Sequence, residues 1–143
     1  MINDVIVTEK SLKVKIAWYL LYYTYAIFPI ITGIDKFFNY LARWDIYLNH
    51  AIPTYLHMTP NAFMYVSGGI EVLFGLLVFI KPRIGGYVIT GWLLAIIINL
   101  ISMGTHSHPG FSHVMTHYDI ALRDAVMVMG SAVFILLSYE LDK

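Results

Sequence analysis

Ile84-Gly-Gly-Tyr-Val-Ile-Thr-Gly-Trp-Leu-Leu-Ala-Ile-Ile-Ile-Asn-Leu-Ile-Ser-Met-Gly104 is a run of 21 residues without one charge. An α-helix rises about 1.5 Å per residue, so about 20 residues cross a hydrocarbon core about 30 Å thick. Immediately before the run, Lys81-Pro82-Arg83 makes a tight polar turn. Before that turn lies Phe63–Ile80, 18 residues with a single charge, Glu71. Further out, Ile16–Ile34 is 19 residues long and uncharged, and Tyr118–Tyr139 is 22 long with its charges confined to the first two turns. Four such segments in 143 residues leave too little polar chain to cover them in water. The expected fold is all-α: a single membrane domain over residues 1–143, built as a four-helix bundle with spans at about 16–34, 63–80, 84–104 and 118–139.

Composition points the same way. Hydrophobic residues make up 59% of the chain and charged residues 13%, against about 45–50% and about 25% in soluble domains. So few charges among so many apolar groups exclude an intrinsically disordered chain. Nine basic residues balance nine acidic ones, so no net field attracts nucleic acid. There is no cysteine, which excludes disulfides, Fe–S clusters, c-type haem and thiol chemistry by this chain.

Lysine and arginine set the expected orientation. Lys10, Lys13, Lys15, Lys81, Arg83 and Lys143 fall on one side, assigned to the cytoplasm, and only Lys36 and Arg43 fall on the other. Both termini are then cytoplasmic, and in a bacterial inner membrane the two remaining loops face the periplasm. The first segment reads as an uncleaved span rather than a signal peptide, because its apolar run is long and no small-residue cleavage site follows. In the first outer loop, Phe37, Leu41, Trp44 and Leu48 recur at helical spacing, which predicts an amphipathic interfacial helix stopped by Pro53.

Ionisable groups in a bilayer face the bundle interior and find partners. Here they cluster by depth. Asp35 and Lys36 close span one, Glu71 lies about 12 Å below the start of span two, and Asn99 sits about one turn from the outer end of span three. Asp119, Arg123 and Asp124 open span four. Gly68, Glu71 and Gly75 share one helix face, as do Gly91, Ala95 and Asn99, and small residues mark packing faces. Asp119 and Arg123 are spaced to pair as i, i+4. The expected site is therefore an outer-half polar pocket of Asp35, Glu71, Asn99, Asp119, Arg123 and Asp124, suited to a quinone, a lipid head group or a small polar substrate. Trp18, Tyr22, Tyr25, Phe28 and Trp92 are candidates for its walls. The alternative is an ion-pair network, Glu71 with Arg123, that fixes helix register.

All six histidines lie in the two outer loops: His50, His57, His106, His108, His113 and His117. His106 and His108 form an H-x-H pair. If the last helix is capped by Ser112, then His113, His117 and Asp124 fall on one stripe. That is a workable zinc or copper ligand set, and the alternatives are solvated loop histidines or a pH sensor.

Several strings stand together: Gly33-Ile34-Asp35-Lys36-Phe37-Phe38-Asn39, Gly69-Ile70-Glu71, Gly75-Leu76-Leu77, Lys81-Pro82-Arg83-Ile84-Gly85-Gly86-Tyr87 and Tyr118-Asp119-Ile120-Ala121-Leu122-Arg123-Asp124. In these, the chain resembles the DoxX-like family of small four-span membrane proteins, over nearly all of its length after Ile16. The resemblance implies a four-helix transmembrane bundle associated with redox or sulfur metabolism. It supplies no catalytic set, and the histidine-rich loop lies outside the family pattern. The expected function is that of an accessory subunit of a membrane redox complex, binding a quinone or lipid. The alternatives are a structural or assembly subunit of a larger membrane complex and a periplasmic-side metal-binding membrane protein using the histidine-rich loop; a homo-oligomer is compatible with each. A stand-alone enzyme would need Glu71 or a histidine as base, and the sequence offers no nucleophile or cofactor motif. Four short spans without an inverted repeat also disfavour a transporter.

Overall fold

A computed structural model describes residues 2–103 and 117–141, with side chains from Ser11 onward. The described chain contains helices and no strands. The long helices are α1 (Ile2–Phe38), α3 (Pro60–Ile80), α4 (Pro82–Met103) and α5 (His117–Glu140), and a short α2 (Ala51–Tyr55) lies in the loop after α1. The all-α four-helix arrangement expected from the apolar runs is the one observed. Each long helix contains a stretch long and apolar enough to cross a membrane, at Ser11–Phe38, Pro60–Ile80, Pro82–Met103 and His117–Glu140.

Each helix end follows from local chemistry. Pro60 occupies the first turn of α3, where a missing N–H costs nothing, and the Thr59 hydroxyl accepts the Ala62 N–H at 3.2 Å as an N-cap. Lys81 alone separates α3 from α4. Its N–H bonds back to the Leu77 carbonyl at 2.8 Å, and Pro82 starts the next helix. So sharp a reversal presses the two helices together. A Cβ on Gly85 would lie 2.5 Å from the Val78 Cα, so glycine is required there.

The helices pair as α1 with α3 and α4 with α5. Packing of α3 on α4 and of α1 on α5 closes the bundle. Its core is Tyr25, Ala26, Val78, Ile89, Leu93 and Phe134, with Trp18 and Tyr22 against it. The Tyr25 hydroxyl donates to the Met127 carbonyl at 2.6 Å, which satisfies a polar group that would otherwise be stranded in the core. The outward faces are apolar: Leu20 is 67% exposed, Ile98 69%, Leu122 70% and Met129 70%. A surface of this kind belongs in lipid, and the chain is a membrane protein.

The first outer loop departs from the expected single amphipathic helix. The chain leaves α1 at Asn39, which adopts a left-handed φ of 55° that asparagine tolerates and most residues do not. The Asp35 carboxylate then accepts the N–H groups of Tyr40 and Leu41, at 2.9 and 3.0 Å, turning the chain back over the helix end. A 3-10 turn follows at Trp44–Tyr47, and α2 comes after it. Phe37, Leu41, Trp44 and Leu48 thus belong to different local structures. Pro53 does not stop a helix. It sits inside the first turn of α2, where its lack of an N–H breaks no helical bond.

Candidate functional site

The site begins with two glycines. Where α1 crosses α3, a Cβ on Gly33 would meet the Gly68 carbonyl oxygen at 2.5 Å, and a Cβ on Gly68 would meet the Gly33 oxygen at the same distance. The backbones touch because neither residue has a side chain. Three residues along each helix come Lys36 and Glu71. The helices are antiparallel, so the Lys36 Cβ lies over Gly68 and the Glu71 Cβ over Gly33, each 3.1 Å from the Cβ position of that glycine. The lysine stem then reaches back along the crossing to the carboxylate.

The result is a buried ion pair. Lys36 Nζ is 2.6 Å from Glu71 Oε2, and the two residues are 6% and 5% exposed. The Thr32 hydroxyl donates to the same oxygen at 3.2 Å, and the Trp92 indole N–H from α4 donates to Oε1 at 2.9 Å. Three donors from two neighbouring helices therefore hold one carboxylate. No buried side-chain nitrogen or oxygen among the described residues lacks a partner. Removing one member of such a pair strands the other charge, at a cost of about 3–5 kcal/mol.

A lid covers the pair. The Trp44 ring lies over Lys36, with Nζ 4.1 Å from the ring centroid. Asp35 holds Trp44 in place by accepting its indole N–H at 2.7 Å. The far end of the loop is fastened to α4: Asn99 accepts the Asn49 N–H at 3.0 Å and donates to the Tyr47 carbonyl at 2.6 Å. Asn49 adds a bond to the Ser102 hydroxyl at 2.9 Å. Beside the lid, Ile31, Ile34, Asp35, Phe38, Tyr40 and Leu41 line a groove of about 310 Å³ on the lipid side of α1.

The six residues expected in one pocket thus take three positions. Glu71 is the centre of the cluster. Asp35 and Asn99 fasten the lid and do not touch the Glu71 carboxylate. Asp124 is half-buried and within electrostatic range of Glu71 and Arg123, while Asp119 and Arg123 are exposed on the first turns of α5. The cation that meets Glu71 is Lys36. Of the expected aromatic walls, Trp92 reaches the cluster. Trp18, Tyr22 and Tyr25 pack around Phe134 instead, and Phe28 is 56% exposed.

The sequence reading did not place Thr32, Lys36 and Trp44 in the site. A usable signal was present in Gly33-x-x-Lys36 and Gly68-x-x-Glu71, the same spacing of glycine and charge on two helices. Of the expected metal ligands, His117 begins α5, and His106, His108 and His113 lie outside the described residues. Among the described residues, no three His, Asp or Glu side chains are placed to hold a metal ion. Compared with known proteins, the chain matches no family model, no curated protein and no solved structure.

Proposed function

We propose that this chain is a DoxX-like membrane protein, an accessory subunit of a membrane redox system that holds a quinone or lipid head group at the Glu71 cluster. The observation that carries the reading is the lidded Lys36–Glu71 pair. An ionised group inside a bilayer costs about 2.5–3.5 kcal/mol on insertion scales. Replacing a buried pair by apolar side chains is often neutral or stabilising. The glycine crossing already brings α1 and α3 together, so helix association alone does not call for the charges.

The chemistry suits a quinone. Lys36 Nζ and the Trp92 indole N–H are donors, and quinone carbonyl oxygens are acceptors. Glu71 now holds both donors and can release either one to a ligand. It is also the group that would take a proton from a hydroquinone hydroxyl. The groove beside Asp35 offers an apolar surface on which a prenyl tail could lie. The lysine and arginine distribution supports both termini in the cytoplasm and the lid on the opposite side, which in a bacterial inner membrane is the periplasm.

A titration with a short-chain quinone tests the reading, using the full chain in detergent with tryptophan fluorescence as the signal. Trp44 and Trp92 are at the cluster and Trp18 is not, so the expected result is a saturable quench over a linear background. Glu71→Gln should lose the saturable part and keep the background. Identical curves for the two proteins would reject quinone binding at this site.

One observation favours a second reading, an assembly subunit. Gly91 and Ala95 were expected on a packing face, but both are exposed, and a Cβ on Gly91 would meet nothing within 4 Å. Small residues left open to lipid give another helix room for close approach.

A further inference from the structure

The opposite end of the bundle, where α1 enters, α3 turns into α4 and α5 finishes, carries a different kind of site. Helix α1 packs on α3 and α5 and meets α4 only slightly. At this end the gap opens into a cleft of about 320 Å³, lined by Lys15, Trp18, Tyr19, Pro82, Arg83, Ser138 and Leu141. Two cations from helices distant in sequence share it.

The walls are built rather than loose. The Trp18 indole N–H donates to the Ser138 hydroxyl at 2.7 Å, tying α1 to α5. The Arg83 Nε–H donates to the Ser138 carbonyl at 3.3 Å, and its guanidinium carbon lies 4.5 Å from the centre of the Tyr139 ring. These contacts fix the plane of the guanidinium beside the cleft. Helix α4 begins at Pro82, so the positive end of its dipole adds to the two side-chain charges. Trp18, Tyr19 and Leu141 line the same cleft, so a group bound beside the cations meets apolar surface there.

We propose that this cleft binds a phosphate group, presented by the head group of an anionic phospholipid. Two cations lining one cleft and a helix N-terminus match a phosphate in charge and donors. The position at the end of membrane-spanning helices, with apolar neighbours, matches a phosphate that carries acyl chains. Basic clefts between helices on the lysine-rich side of membrane proteins recognise head groups in this way.

Native mass spectrometry of the full chain, with phosphatidylglycerol or phosphatidylcholine added to the detergent, is the test. Wild type should retain phosphatidylglycerol in preference to phosphatidylcholine. Lys15→Gln and Arg83→Gln should each lower that preference about fivefold, the effect of one surface cation on anionic-lipid binding. Lys15→Arg and Arg83→Lys should keep it. Lys15 is exposed, so its substitution does not endanger folding even if that of Arg83 does. A parallel arm adds inorganic phosphate and reads thermal stability. Protection by phosphate that both Gln variants abolish, without any lipid preference, supports the phosphate site and assigns it to a soluble anion. Equal retention of the two lipids with no phosphate protection overturns the proposal, as does a lipid preference that neither Gln variant changes.

Discussion

The two ends of the bundle treat positive charge in opposite ways. At the lidded end, Lys36 is 6% exposed and has a carboxylate below it and an aromatic ring above. At the other end, Lys15 and Arg83 line an open cleft. The first cation is part of the protein's own interior, and taking it away should damage the fold. Lys15 is exposed and Arg83 half-buried beside that cleft, and on the head-group proposal losing either should change what the protein binds. Burial decides what the loss of a cation costs: a buried one strands its carboxylate, and an exposed one does not.

The largest expected difference comes from deleting one cation at each end. Lys36→Met leaves Glu71 with the Thr32 and Trp92 bonds and no counter-charge, and should lower unfolding stability in detergent by about 3–5 kcal/mol. Lys15→Met should change it by less than about 0.5 kcal/mol, as surface substitutions do. Adding Glu71→Leu to Lys36→Met should recover most of the loss, because no unpaired charge then remains. Denaturant unfolding of the four proteins checks this. Equal, small losses at both positions would mean that water reaches the Lys36–Glu71 pair.

Much of this arrangement is legible in the sequence, and the failures have physical reasons. The four helices are visible because a run of about 20 apolar residues has few other uses. The burial of Glu71 is visible because a lone charge in an apolar run must face a partner inside the bundle. The partner of Glu71 is harder to see. Asp35 and Lys36 are neighbours, but successive helix positions point about 100° apart. Which of them faces α3 depends on where Gly33 makes contact, and that belongs to two helices together. The lid is less visible still: its path depends on a left-handed Asn39 and on backbone N–H groups captured by Asp35. Gly91-x-x-x-Ala95 carries the same local signal as Gly68 and Gly75, yet it faces outward. Small residues mark where a helix can be approached closely and leave open which neighbour approaches.

That contrast between glycines is the next test, with an intermediate effect. Gly68→Ala sets a methyl 2.5 Å from the Gly33 carbonyl oxygen, where backbone must move. It should cost about 1–3 kcal/mol, the range for overpacking, and should weaken the Lys36–Glu71 contact with it. Gly91→Ala meets nothing and should leave monomer stability unchanged or raise it by up to about 1 kcal/mol through helix propensity. Gly91→Leu then separates the two functional readings. If this face receives another helix, the bulkier side chain should release the partner or the second copy in native mass spectrometry while the monomer stays folded. An unchanged assembly would leave the exposed glycine without a role in association.

The smallest effect gives the most direct comparison of the two ends, because each has a cation lying on an aromatic ring. Lys36 sits 4.1 Å from the Trp44 centroid in a buried setting, and Arg83 sits 4.5 Å from that of Tyr139, a residue 44% exposed. Such contacts are worth about 0.5–1 kcal/mol at exposed sites and about 2 kcal/mol when desolvated. Single substitutions would blur the difference, since Trp44 also donates to Asp35 and Arg83 also donates to the Ser138 carbonyl. Double-mutant cycles remove those side effects from the pairwise energy. The cycle of Lys36→Met with Trp44→Leu should return a coupling near the upper figure, and that of Arg83→Gln with Tyr139→Leu one near the lower. Equal couplings would show that the Trp44 lid leaves Lys36 as wet as Arg83, and an open lid of that kind would give a ligand direct access to the Lys36 ammonium.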